Sequence, residues 1–371
     1  MEERISFIRF VRHFLSTCLF GEGNAEQRAA CLVQLAKANR AAVMQEIKDG
    51  NIESKVGLSR GFLSLSRTQA KAEETVQECK AYGEDAILLS WDEATQLEPR
   101  LHRLPIKPLF AVHRTQDSSA SCEVFVKHLI DKCTTSMGIE YHRSGKVVNL
   151  EALGGKHDKP SFRVTAADGS KQEFDVLILA AGVQTPLMAA KLGAGATCPT
   201  YPLRGYSLTF FTPEKECIGD KSFNLTHQPF SLDSMYCSSV NPRMARFAGF
   251  GELVGYRDKA VNVPSVGPRV LARYARELCP DATVNEDDAL QCFRPFSPDD
   301  LPLVGEVSSV PGLFLHTGHG TLGWTMALAT ADCVAQAVSD RLQANSSTTT
   351  TFTLPDNSFI DRKILSPDRF V

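Results

Sequence analysis

Apolar positions recur with two different periods along this chain, and the changes of period mark its parts. Between Arg4 and Leu19, at about 100° per residue, Phe7, Ile8, Phe10, Val11, Phe14, Leu15, Cys18 and Leu19 share one face, and Arg9, Arg12, His13 and Ser16 share the other. An amphipathic helix is expected, docked on the protein's own body or lying at a membrane interface. Arginines on such a helix resemble a mitochondrial presequence, but Glu2 and Glu3 argue against one. Asn24 to Asp49 reads as a long helix, with Asn24 and Gln27 placed as a capping box and Gly50 as its stop. Residues 61 to 66 alternate like a strand, 68 to 81 form a charged helix, and a short helix follows that ends before Pro99.

Beyond residue 109 strands become frequent. A helix near 121 to 137, closed by Gly138, precedes the strand Lys146-Val-Val-Asn-Leu. Ser161 to Thr165 and Glu173 to Ala180 are joined through Ala167-Asp168-Gly169, a hairpin signal. Val176 to Ala181 is continuously apolar and ends in Gly182, the pattern of a central strand buried on both faces. Period two returns at 206 to 211, 235 to 240 and 244 to 250; a helix is expected at 264 to 278, and 289 to 293 leads into Arg294-Pro-Phe-Ser-Pro-Asp. An antiparallel sheet carrying helices, set between two α/β pieces, accounts for this order.

Composition narrows the classes of function. The 371 residues are 43% hydrophobic and 22% charged, with a net charge of −3, which leaves no electrostatic footprint for nucleic acid. Eleven scattered cysteines without C-x-x-C or zinc spacing read as free thiols in a reducing compartment rather than as disulfides or metal ligands. A cytoplasmic enzyme acting on a small molecule is the expectation.

Gly318-His-Gly320-Thr-Leu-Gly323 follows the apolar run Leu313 to Leu315 and opens a helical pattern, as a pyrophosphate cradle would. A dinucleotide unit needs a second parallel strand after that helix, ending in an acidic residue. Here the helix is followed by Ser-Ser-Thr-Thr-Thr-Thr-Phe-Thr-Leu, too polar for a buried parallel strand. The glycines then bring the helix N-terminus close to something else.

Four stretches, in this order, carry a resemblance: Ala180-Ala-Gly182, Tyr201-Pro-Leu-Arg-Gly-Tyr-Ser-Leu-Thr209, Cys292-Phe-Arg-Pro-Phe-Ser-Pro-Asp299 with Leu301-Pro-Leu-Val-Gly305, and Thr317-Gly-His-Gly-Thr-Leu-Gly-Trp-Thr325. Together they resemble the D-amino acid oxidase superfamily of FAD-dependent oxidoreductases, and within it the D-amino acid dehydrogenase small subunit. The resemblance implies an α/β fold of mixed α+β type, in which an FAD-binding Rossmann-like domain is interleaved with an antiparallel-sheet substrate domain. It implies oxidative deamination of a D-amino acid to a 2-oxo acid, with electrons passed to a quinone or another acceptor. It also implies that Gly318, Gly320, Thr321, Leu322 and Gly323 face the flavin ring, where a helix N-terminus stabilises negative charge. Arg294 holds the amino acid's carboxylate, as a bidentate guanidinium does. Tyr206 adds a hydroxyl near the substrate or packs in the core; His319 bonds substrate or cofactor, or is structural. Val148 passes the adenine, and Ala181 and Gly182 let the chain pass the diphosphate.

One departure stands out. The family begins with a strand, a G-x-G-x-x-G turn and a helix, and this sequence has no such unit before its helical region. A truncated Rossmann-like domain is therefore expected, with unpaired backbone groups and exposed apolar surface beside Val176 to Ala180. The expected division is N-terminal helices at 1–50, a substrate domain at 51–108 and 199–294, and the remaining FAD-binding part at 109–198 and 295–371. A non-enzymatic remnant held by a protein partner is the alternative to an enzyme, and a mitochondrial or peripheral membrane location the alternative to the cytoplasm.

Overall fold

A computed structural model describes residues 2–21, 25–104, 110–143, 145–153, 161–212, 221–225, 235–241, 244–256, 264–343 and 349–371. In chain order the elements are α1 (Glu2–Phe20), α2 (Ala25–Asp49), α3 (Glu53–Val56), β1 (Ser59–Ser66), α4 (Gln69–Ala81), β2 (Ala86–Ser90), α5 (Trp91–Leu97), β3 (Phe110–Ser119), α6 (Cys122–Ser136), β4 (Val147–Leu153), β5 (Ser161–Ala166), β6 (Lys171–Phe174), β7 (Leu177–Leu179), α7 (Thr185–Lys191), β8 (Tyr201–Phe211), β9 (Ser222–Leu225), β10 (Met235–Asn241), β11 (Met244–Glu252), α8 (Gly267–Leu278), β12 (Leu290–Phe296), β13 (Leu303–Glu306), β14 (Leu313–Thr317), α9 (Gly323–Leu342), β15 (Thr351–Thr353), β16 (Phe359–Asp361) and α10 (Arg362–Leu365). Asn24, the expected cap of α2, lies outside the described residues. Thr68 and Ser90 do cap α4 and α5, Ser90 within a capping box.

Eight described strands form the largest sheet, in the order β12-β8-β11-β10-β9-β1-β3-β2. Its inner face carries Leu63, Leu65, Tyr206, Leu208, Phe210, Phe223 and Phe247, packed on Leu271, Tyr274, Ala275 and Leu278 of α8. Alternation along β8 puts every second side chain into this core and leaves its other face for a site. The pairing of β3 with β1 and β2 moves one expected boundary: Phe110–Ser119 was assigned with the FAD-binding part, yet it lies within the large sheet.

The second region is a smaller stack built on the three-stranded sheet β13-β14-β7, in which β14 and β7 run parallel. Leu313 and Leu315 of β14 face a core with Leu150, Phe162 and Leu192, while Phe314 faces Leu35, Ala38, Met326 and Ala329 of α2 and α9. Both faces of β14 are covered, as parallel strands require. On β7 the covering stops. Ile178, paired with the buried Phe314, is 43% exposed, and β7 has a strand on one side only among the described residues. The continuous apolar run predicted a central strand; β7 is an edge strand, with the exposed apolar surface expected beside it. Among the described residues no parallel strand follows α9, and β15 pairs antiparallel with β16.

Helix α1 docks on the body by a face different from the one its periodicity suggests. Ser6 and Phe10 are buried, while Ile8 and Leu19 are 66% and 68% exposed. Ser6 Oγ donates to the Thr200 carbonyl and pairs with the Tyr256 hydroxyl at 3.1 Å, and Phe10 packs on Tyr201 and Phe296. Polar atoms with partners across the contact outweigh the apolar stripe. Every described cysteine is free, and no described helix is long and apolar enough to cross a membrane.

Candidate functional site

The carboxyl ends of β7 and β14 lie side by side, the position where parallel α/β sheets present ligands. Chain reversal there rests on glycine, since Gly182, Gly318 and Gly320 have φ of +56°, +79° and +53°. Thr317 Oγ1 donates to the Gly182 carbonyl at 3.3 Å and ties the two turns together. A Cβ on Gly182 would meet nothing within 4 Å, so space lies over that turn. Helix α9 starts at Gly323 with no side-chain cap, which leaves its first-turn N–H groups aimed outward.

The large sheet reaches this turn through its backbone. Gly320 N–H donates to the Pro295 carbonyl at 2.9 Å, and Phe296 and His319 form a β-bridge. Arg294, one residue before Pro295, is thereby brought beside the glycine turn. Its guanidinium is half-buried, and Nη1 donates to the Phe250 carbonyl at 2.9 Å.

A second arginine explains why Arg294 is the available one. Arg204 is fully buried and bonded through Nε to Glu252 Oε2 at 2.7 Å, with Nη2 at 2.6 Å from the same oxygen. Ser265 donates to the other oxygen, Oε1, at 2.6 Å, and Tyr206 reaches Oε2 at 3.4 Å. Tyr206 therefore belongs to the core side. The Arg294 guanidinium lies against Gly205, and neighbouring residues of a strand face opposite ways, so Tyr206 points away from it. Burial, ahead of the nearby Glu252 charge, raises its hydroxyl above the usual tyrosine range. The Tyr206 hydroxyl thus sits with Glu252, on the side of β8 opposite the Arg294 guanidinium.

His319 is in the turn, with its ring committed to α9. His316 Nε2 and His319 Nε2 each lie 2.9 Å from Thr330 Oγ1, whose proton goes to the Met326 carbonyl at 2.9 Å. With the Thr330 proton given to a backbone carbonyl, its two lone pairs suit an Nε2–H from each imidazole. Burial pushes His316 down to about 4, and burial with the neighbouring His316 pushes His319 down to about 3. Both are neutral at pH 7. The expected alternative of a structural His319 fits this bonding better than a proton carrier does.

Of the remaining expected residues, Gly318, Gly320, Thr321, Leu322, Gly323, Ala181 and Gly182 come together at the paired turns. Val148 does not: it lies on β4, half exposed, with its carbonyl accepting from Lys191 Nζ at the end of α7. Sequence reasoning missed Glu252, Thr330 and the Phe250 carbonyl. Glu252 and Phe250 lie in Gly249-Phe-Gly-Glu-Leu, at the end of a run whose alternation signals a strand and nothing more. Trp324 packs edge-on to Phe125, and its carbonyl accepts from the buried Asn39 of α2.

Known proteins agree with this architecture. A D-amino acid dehydrogenase of Allorhizobium ampelinum is 26% identical over 344 residues, which cover 91% of this chain and 76% of the relative. One of Sinorhizobium medicae is 29% identical over 290 residues, covering 76% of this chain and 64% of the relative. The chain thus spans less than two thirds of the second relative's length. The crystal structure of glycine oxidase from Geobacillus kaustophilus superposes with a TM-score of 0.67 at 20% identity, over 89% of this chain and 83% of that one. L-proline dehydrogenase from P. horikoshii gives 0.67 at 15% identity, over 90% and 82%. The family profile described as FAD dependent oxidoreductase matches residues 16–337, and this chain belongs to that family.

Proposed function

We propose that the protein is an amino acid oxidoreductase of D-amino acid dehydrogenase type, in which Arg294 binds the substrate carboxylate beside a flavin faced by the turn at Gly318–Gly323. The observation that carries this reading is the Gly320–Pro295 hydrogen bond, which joins the glycine turn to the strand of an arginine without a carboxylate partner among the described residues. The turn's residues fit a flat aromatic group: two glycines with positive φ, an uncapped helix start and open space over Gly182.

Bound FAD supplies acceptance of a hydride from the α-carbon of an amino acid, leaving an imino acid that water hydrolyses to a 2-oxo acid and ammonia. The chain's own residues orient. Arg294 fixes the carboxylate through a planar fork, and the first turn of α9 offers N–H groups to negative charge. Burial keeps His319 neutral at pH 7 and its Nε2 lies against Thr330 Oγ1, so the reading gives this ring no charge to exchange at neutral pH.

The visible spectrum of the protein as expressed is the first test. A flavin spectrum, with turnover of a D-amino acid by an artificial acceptor that falls at least tenfold in Arg294→Ala, supports the reading; unchanged turnover in that variant removes the carboxylate role. A second reading rests on the open edge of β7 and the exposed Ile178: a remnant whose sheet is completed by a partner. A protein that stays colourless with added FAD favours it.

A further inference from the structure

Holding a carboxylate requires a guanidinium that does not wander, and two groups outside the assigned site fix this one. Gly205 on β8 pairs with Cys292 of β12, two residues before Arg294. A methyl group on Gly205 would fall 2.5 Å from Arg294 Nη2 and closer still to Cζ and Nη1. Such proximity to three atoms of one planar group means that the guanidinium is laid over a bare Cα. It spans β8 and reaches β11, where Nη1 donates to the Phe250 carbonyl at 2.9 Å.

That carbonyl owes its position to an irregularity. Phe250 has φ +67°, a left-handed backbone that aromatic residues rarely adopt, and it sits where the β8–β11 register shifts between Gly249 and Glu252. The bulge takes its carbonyl out of the ladder and gives it to Arg294. With Nη1 engaged, Nε and Nη2 remain on one edge without a protein partner among the described residues. Those two N–H groups are parallel, the geometry that takes a carboxylate bidentately.

We infer that Gly205 and the Phe250 carbonyl are positioning residues that seat Arg294 flat on the sheet and turn its Nε–Nη2 edge toward an incoming carboxylate. The inference rests on the carboxylate role proposed for Arg294 and adds what sets its orientation. It also gives the glycine of Arg-Gly-Tyr-Ser a reason: a side chain there would lift the fork off its seat.

A double-mutant cycle on the full chain tests the seat. In urea denaturation, Gly205→Ala is expected to lower the folding equilibrium constant by about threefold to fivefold with Arg294 present, since the guanidinium it displaces ends a flexible side chain, and to leave it unchanged in an Arg294→Ala background. Equal losses in both backgrounds would overturn the seat. If Gly205→Ala alone does not fold, recovery of folding in the double variant supports the inference, and failure of both variants alike counts against it. Titration with propionate, a carboxylate lacking the reacting amino group, separates the two claims. Binding that vanishes in Arg294→Ala supports the carboxylate role, and binding that is absent or unaffected refutes it. Where propionate binds through Arg294, Gly205→Ala should weaken it about tenfold, while Phe250→Gly, which keeps the carbonyl and relieves the backbone, should leave it within about twofold. Affinity unchanged by Gly205→Ala would show that the glycine does not position the fork.

Discussion

Two of the sheets in this molecule, the eight-stranded one and β13-β14-β7, differ in completeness. In the large sheet, β8 has a neighbour on each side, α8 covers the inner face, and the charged groups beneath it are paired, Arg204 with Glu252 and Arg100 with Glu98. In the small one, β14 is covered on both faces while its neighbour β7 is exposed at Ile178 and has, among the described residues, no strand along one edge. The difference teaches where cohesion resides. The strand that carries Arg294 rests on a finished core, whereas the glycine turn rests on α9 and on what α9 packs against.

The largest test of this contrast is a cavity in the finished region. Phe247 is fully buried in the main core, so Phe247→Ala should cost about 3–5 kcal/mol in urea denaturation. A loss below about 1 kcal/mol would show that the large sheet is not the cohesive unit. Thr330→Val comes next, since it strips one acceptor from two half-buried imidazole N–H groups; about 1–3 kcal/mol is expected. Histidine ¹⁵N spectra should also show at least one of the two rings leaving its Nε2–H form.

The same pair gives a pH dependence of known sign. Both histidines bind protons less readily folded than unfolded, so their contribution to stability is complete above about pH 6.5 and declines as pH falls toward about 4. The slope attributable to each approaches about 1.4 kcal/mol per pH unit. Urea midpoints at pH 7, 6 and 5 for the unsubstituted protein and for a variant with both histidines replaced by Asn should diverge on the acid side; parallel curves would contradict the assignment. The smallest effect belongs to the open edge. Ile178→Thr should change stability by less than about 0.5 kcal/mol, and amide exchange along β7 should be much faster than in β8. Slow exchange at β7 would mean that something pairs with it in solution.

Much of this was legible in the chain. The strand, glycine turn and helix at 313–342 follow from an apolar run, three glycines and helical spacing, and Arg294 follows from its motif. The neighbours of β7 were not legible, because an uninterrupted apolar run reports two buried faces and says nothing about the strands alongside. Nor was the side of β8 to which Tyr206 turns. Alternation dictates that Gly205 and Tyr206 face opposite ways, but only a tertiary contact decides which of them meets Arg294. For α1, hydrophobic spacing was outweighed by Ser6, whose hydroxyl finds two partners across the contact.

The backbone bond between Gly320 and Pro295 has a further consequence. It joins turn and strand through main-chain atoms, so no side-chain contact between the two sets their distance. On the proposed function, the gap across which a reacting carbon would be held is written into main-chain geometry, like the fixed jaw of a gauge, and what lines the gap would set the preference for substrate.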